Sequence, residues 1–151
     1  MDFRLTEEQE AFRQLAQDFA RREIAPVASQ YDESGEFPWE IVRKAHRAGL
    51  MNLEVPEEYG GPGLGPLEVA LIAEEIAAGC AGIATSLLGN GLALLPLLLY
   101  GTEDQKRRFL PEFCSEPRLA AFCLTEPNAG SDIAAVSTQA RREGTGYVLD
   151  G

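Results

Sequence analysis

The chain has 151 residues, 45% of them hydrophobic and 25% charged, with a formal net charge of -11 and a pI near 4.5. That length suffices for one domain with a core, or for one domain and part of a second. The acidic balance argues against nucleic-acid or anionic-membrane binding as the main role, because both need a basic surface, but it leaves room for an anionic ligand held by a local cluster of donors.

The opening residues Met1 to Glu8 lack the basic region and apolar core of a secretion signal, and their acidity does not suit a transit peptide. The expectation is a cytoplasmic protein, or a mitochondrial-matrix one if the chain is a processed eukaryotic product. Cys80, Cys114 and Cys123 show no metal or disulfide spacing, and His46 is the single histidine. Thr6 and Gln9 form a capping box, after which Phe12, Leu15, Ala16, Phe19, Ala20 and Ile24 recur at helical spacing until Pro26. Tyr31 to Phe37 reads as a loop. Pro38, at a helix N1 position, then opens a second helix to about Ala48, with Ile41, Val42 and Ala45 inward and Gly49 at C′. His46, among Arg43, Lys44 and Arg47, reads as an exposed, non-catalytic side chain.

Pro66 opens a third helix that Gly79 closes. A fourth, Ile83 to about Tyr100, is apolar nearly all round, as a central buried helix would be. Its most apolar part, Leu87 to Tyr100, contains Gly89, Asn90, Gly91 and Pro96 and falls short of the ~20 residues of a membrane span. Thr102 and Gln105 cap a fifth helix that stops before Pro117. The pattern changes there, so the fold class expected is mostly α: a helical domain of about five helices over residues 1–117, then the first strands of a β-domain over 118–151. Leu119 to Thr125 reads as a short strand, and Val136 to Arg142 and Tyr147 to Leu149 have β character. Asp150-Gly151 is a strong hairpin signal without a following strand, which leads us to expect a longer polypeptide.

Between those segments, Glu126-Pro127-Asn128-Ala129-Gly130-Ser131-Asp132 is dense in turn-forming residues. Thr125 and Ser131 place hydroxyls beside exposed amides, and Asn128 and Gly130 tolerate positive φ. Such a loop can offer several donors to a planar heteroaromatic ring or a phosphate.

The stretch Phe122-Cys-Leu-Thr-Glu-Pro-Asn-Ala-Gly-Ser-Asp132 closely resembles the signature of the acyl-CoA dehydrogenases. Supporting words follow the family's order: Phe3-x-Leu-Thr-Glu-Glu-Gln9, the segment from Gly49 to Gly61, Gly101 to Lys106 with Leu110-Pro111, and Gly146-Tyr-x-Leu-Asp-Gly151. The resemblance covers essentially the whole chain and is nearest to medium-chain members. It implies a complete helical N-terminal domain, the start of a middle β-domain, and an FAD-dependent enzyme that forms trans-2-enoyl-CoA from saturated acyl-CoA in β-oxidation.

Carried over, the FAD contacts fall on Phe122, Leu124, Thr125, Gly130 and Ser131, with Ser131 also touching the CoA portion. Phe122 replaces a frequent tyrosine, and Asn128 stands where glycine is common. The acyl chain is implied to run along Thr85, Leu88 and Leu92, which share a helical face, although simple core positions explain that face equally well. Electron-transferring flavoprotein and a homotetramer are the implied partners. No catalytic residue is matched, because the family's carboxylate base lies in a C-terminal domain, and Glu126 beside Pro127 reads as a loop organiser. The competing reading is a non-catalytic acyl-CoA- or protein-binding module.

Overall fold

The computed structural model describes residues 4–151, so Phe3 of the opening motif lies outside the described residues. The chain divides into two compact units, one up to Ala121 and the other Phe122–Gly151.

The first unit is helical. In α1 (Glu7–Phe19) the capping box forms as expected: the Gln9 amide donates to Thr6 Oγ1 at 3.1 Å and the Thr6 amide to Gln9 Oε1 at 3.0 Å. The chain then widens into a π-turn over Ala20–Ile24. Where a loop was expected, α2 (Ala28–Ser34) forms. Its composition is a weak helix signal, but Val27 and Tyr31 pack against the main core, and that packing overrides the propensity.

Helix α3 (Trp39–Arg47) buries Ile41, Val42 and Ala45, with Pro38 at its N-cap rather than N1 and Gly49 left-handed beyond its end. Helix α4 (Pro66–Gly79) starts with Pro66 at N1. Gly79 lets α4 come close to the π-turn, because a Cβ there would sit 3.2 Å from Ala20 and Ile24. Polar pairs flank the seam between α1 and α4: Gln9 Nε2 donates to Glu68 at 2.8 Å and Gln17 Nε2 to Glu75 at 3.0 Å.

Helix α5 (Ala81–Tyr100) runs unbroken through Gly89, Gly91 and Pro96. It is not buried all round, as its composition suggested. Ile83, Ala84, Leu87, Asn90 and Leu94 face the core, whereas Leu92, Leu95, Leu99 and Tyr100 are exposed. Pro96 is tolerated because the carbonyl it leaves unpaired belongs to Leu92, which is 64% exposed and accessible to water. At 20 residues α5 is long and apolar enough to cross a bilayer, contrary to the expected shortfall. Its inner face is nevertheless core, since Ile83, Ala84 and Leu87 join α1, α3 and α4 in one cluster. Helix α6 (Glu103–Ser115) repeats the capping box at Thr102 and Gln105. Its Leu110 forms a second cluster with Val55, Tyr59 and Leu94.

The second unit contains an antiparallel hairpin of β1 (Gln139–Glu143) and β2 (Gly146–Asp150), with Gln139 opposite Asp150 and Glu143 opposite Gly146. Gly144, at φ +60°, supplies the left-handed residue that its two-residue turn requires. The strand expected at Leu119 to Thr125 does not form, because its backbone has no ladder partner among the described residues. The chain there passes into the turn-rich loop without regular secondary structure.

Candidate functional site: a loop of unpaired donors and an apolar helix face

The loop is organised by Glu126, as expected. Its backbone exchanges two hydrogen bonds with Ala129, Glu126 N to Ala129 O at 3.0 Å and Ala129 N to Glu126 O at 3.1 Å. Pro127 and Asn128 fill the two central positions of that turn. Neither Asn128 nor Gly130 adopts the positive φ that both tolerate, because a type I turn with Pro127 at its first central position needs no left-handed residue.

The Glu126 carboxylate spans the rest of the loop: it accepts from the Ser137 amide and hydroxyl, both at 2.8 Å, and from the Thr138 amide at 2.9 Å. The Thr138 side chain foremost, then the Ser137 and Thr138 amides and the Ser137 hydroxyl, push its pKa down to about 2. Glu126 is therefore a carboxylate committed to internal donors.

The rest of the loop is uncommitted. The amides of Leu124, Thr125, Gly130 and Ser131, and the hydroxyls of Thr125 and Ser131, make no hydrogen bond among the described residues. All four residues are exposed, as is Phe122 at 48%. Gly130 has no heavy atom within 4 Å of a built Cβ, so nothing in the chain itself demands glycine there. A set of free N–H donors, two hydroxyls and two apolar side chains matches the carbonyl edge, ring nitrogens and apolar plane of an isoalloxazine ring, so these residues fit FAD.

The remaining assigned residues lie on α5 of the first unit. Thr85 and Leu92 are exposed, so they are not core, whereas Leu88 is half-buried and packs against the main cluster. The Thr85 hydroxyl donates to Ala81 O at 2.9 Å, which leaves its lone pairs free. With Leu95 and Leu99 these residues form an apolar stripe along the outer side of the helix. His46 departs from expectation. It is half-buried, with Nε2 3.0 Å from Cys114 O, because its position on α3 brings the ring against the end of α6.

Sequence reasoning missed a pair of buried asparagines. Asn52 and Asn90 are 5% and 1% exposed, and Asn52 is the one non-glycine residue with positive φ, at 55°, among the described residues. Asn52 Nδ2 donates to Phe113 O at 2.6 Å, and Asn90 Nδ2 donates to Asn52 Oδ1 at 2.8 Å. Asn90 Nδ2 also donates to Arg118 O at 2.9 Å, while Asn90 Oδ1 accepts from the Ala120 amide at 2.7 Å. The signal was present as a lone carboxamide within an otherwise apolar helix.

Comparison with known proteins places these features. Residues 6–117 match the family model described as acyl-CoA dehydrogenase, N-terminal domain. A probable medium-chain specific acyl-CoA dehydrogenase of Caenorhabditis briggsae is 43% identical over 151 residues, covering 100% of this chain and 37% of the relative. A 3-(aryl)acrylate reductase of Clostridium sporogenes is 46% identical over 148 residues, covering 97% of this chain and 39% of that protein. The chain thus spans under two-fifths of the length of these curated relatives. Among solved structures, an acyl-CoA dehydrogenase from Bacillus anthracis complexed with FAD superposes with a TM-score of 0.87 at 37% identity, over 97% of this chain and 26% of that one. The helical fold, the signature loop and the family match together make this chain a member of the acyl-CoA dehydrogenase family, within which it corresponds to the N-terminal helical domain and the start of the β-domain.

Proposed function

We propose that this chain supplies flavin- and substrate-binding residues to an FAD-dependent acyl-CoA dehydrogenase that forms trans-2-enoyl-CoA from saturated acyl-CoA in fatty-acid β-oxidation. The observation that carries the reading is the row of unpaired donors at Leu124, Thr125, Gly130 and Ser131 within a loop that Glu126 holds together. When bound, FAD supplies the acceptor for the hydride that leaves the β-carbon.

The residues of the chain bind and tune. Phe122 and Leu124 provide apolar surface for the ring, and the Thr125 amide and hydroxyl stabilise the negative charge that develops as hydride arrives. Ser131 serves the cofactor and the CoA portion, while Thr85, Leu88 and Leu92 line the acyl chain. Glu126 does not remove the α-proton: a carboxylate engaged by Ser137 and Thr138 and held at a pKa of about 2 is a poor base. The base, the homotetramer and the electron-transferring flavoprotein that reoxidises the enzyme belong to the same proposal and rest on the family resemblance.

The test is anaerobic mixing of the protein encoded by the complete native reading frame with a saturated acyl-CoA. The flavin absorbance bleaches, and Thr125→Ala slows the bleaching about tenfold or more. Identical kinetics in the variant would remove the role given to Thr125. A second reading, reduction of an α,β-unsaturated acid, is favoured by the similarity to the arylacrylate reductase. Reoxidation of the pre-reduced protein by an arylacrylate, with no bleaching by acyl-CoA, would select it.

A further inference from the structure

Resting on the flavin reading, we propose that Asn90 is a positioning residue for the cofactor: through the Asn52–Asn90 carboxamide pair it fixes the backbone from which the donor loop departs. The observation is a fully used side chain. Asn90 spends its amide hydrogens on Asn52 Oδ1 and Arg118 O, and its oxygen on the Ala120 amide. Its neighbours in the network are themselves fixed, because Asn52 is bound to the Phe113 carbonyl near the end of α6.

The Ala120 amide lies two residues before Phe122 and four before Leu124, the first residues assigned to the flavin. The segment between α6 and the loop has no regular secondary structure; Asn90, the half-buried Leu119 and an ion pair from Arg118 to Glu112 of α6 at 2.6 Å hold it to the helical unit. In such a stretch each backbone group is free to move unless a side chain holds it. A buried carboxamide that accepts from one backbone N–H and donates to a nearby C=O replaces the missing ladder partner. It also restricts both residues at once, since Arg118 and Ala120 are bound to opposite ends of the same amide. Donor atoms that must meet a rigid ring gain affinity from that pre-organisation, because the loop then loses less conformational freedom on binding.

Asn90 touches no assigned cofactor or substrate residue, so its effect is read through the flavin and not through contact with it. Two variants separate positioning from folding. Asn90→Leu keeps the branched shape, at a larger volume, and removes every hydrogen bond. Ala120→Pro removes the N–H that Asn90 Oδ1 accepts without altering Asn90 or Asn52 themselves; its ring also fixes φ at residue 120 and sets Cδ against that oxygen. Both are made in the protein encoded by the complete reading frame. They are followed by FAD titration, the visible spectrum of the bound flavin, and hydrogen exchange of peptides covering α1, α4 and residues 118–125.

The expected result for Ala120→Pro is faster exchange confined to 118–125, with α1 and α4 protected as before. FAD binding weakens about tenfold or more, as loss of one buried hydrogen bond implies, and the flavin spectrum shifts. Asn90→Leu shows the same changes, larger. The inference is overturned if Ala120→Pro loosens 118–125 while FAD affinity and spectrum stay at wild-type values. It is overturned equally if Ala120→Pro leaves exchange at 118–125 unchanged, since the bond would then hold nothing. A wild-type protein that takes up no flavin overturns the flavin reading, and this inference with it, whatever the variants show.

Discussion

The residues up to Ala121 and those from Phe122 onward reach order by different means. In the first unit, side chains such as Ile24, Leu87 and Leu110 are fully buried, and even its polar centrepiece, Asn90, is sealed inside with its partners. In the second, both hairpin strands are exposed along their length and the loop is gathered by one carboxylate. Burial of apolar side chains carries most of the order of the helical unit. Hydrogen bonding to an ionised group makes the loop sensitive to pH, and it leaves neighbouring amides free for a ligand. A scaffold and a recognition loop have these opposite requirements.

Replacing a fully buried side chain of the scaffold should have the largest effect. Leu87→Ala is expected to cost about 2–5 kcal/mol of unfolding free energy, measured from denaturant midpoints. A loss below ~1 kcal/mol would mean that α5 does not anchor the core.

Next in size is the asparagine pair. Asn52→Gly keeps the left-handed backbone and removes the carboxamide, leaving the Phe113 carbonyl without its donor, for about 1–3 kcal/mol. Asn52→Ala should cost about 1 kcal/mol more, because alanine is strained at φ 55°. Equal values for the two would show that the backbone conformation relaxes.

Acidification should act on the other unit. The folded-state pKa of Glu126 lies below its unfolded value, so its contribution is fully present above about pH 4.5 and is lost as the pH falls through about 2. Amide resonances of Ser137 and Thr138 are expected to titrate in that window. Titration near pH 4.5 would show that the carboxylate is free.

The smallest effect on the fold is expected at Gly130. Its φ is not positive and a Cβ would meet open space, so Gly130→Ala should leave stability within about 0.5 kcal/mol. Under the proposed flavin reading the same substitution should weaken FAD uptake, because a Cβ adds bulk beside an amide assigned to the cofactor. Unchanged uptake would take Gly130 out of the contact set.

The two units also differed in how far their sequences revealed them. Capping boxes at Thr6 and Thr102, prolines at helix starts and periodic apolar residues mark the helices directly, because those signals are local. Helix α2 escaped, since Tyr31 and its neighbours become helical through contacts made with the core. Leu119 to Thr125 looked like a strand because β propensity is local, whereas pairing needs a partner elsewhere. The exposed stripe of α5 was hidden for a related reason: apolar composition does not say which side another element will cover. In the loop, Glu126 was recognisable as an organiser from its place beside Pro127. Its partners Ser137 and Thr138, eleven and twelve residues on, were not. Asn90 was passed over as an interruption because its importance lies in backbone groups that only the folded chain brings to it.

The account turns on whether the free amides of the loop are the ones that meet the flavin. Hydrogen exchange of the protein encoded by the complete reading frame, with and without FAD, tests this most directly. The account predicts that FAD slows exchange of peptides covering residues 122–131, at the amides of Leu124, Thr125, Gly130 and Ser131 above all. Protection elsewhere, with residues 122–131 exchanging as fast as in the flavin-free protein, would contradict it.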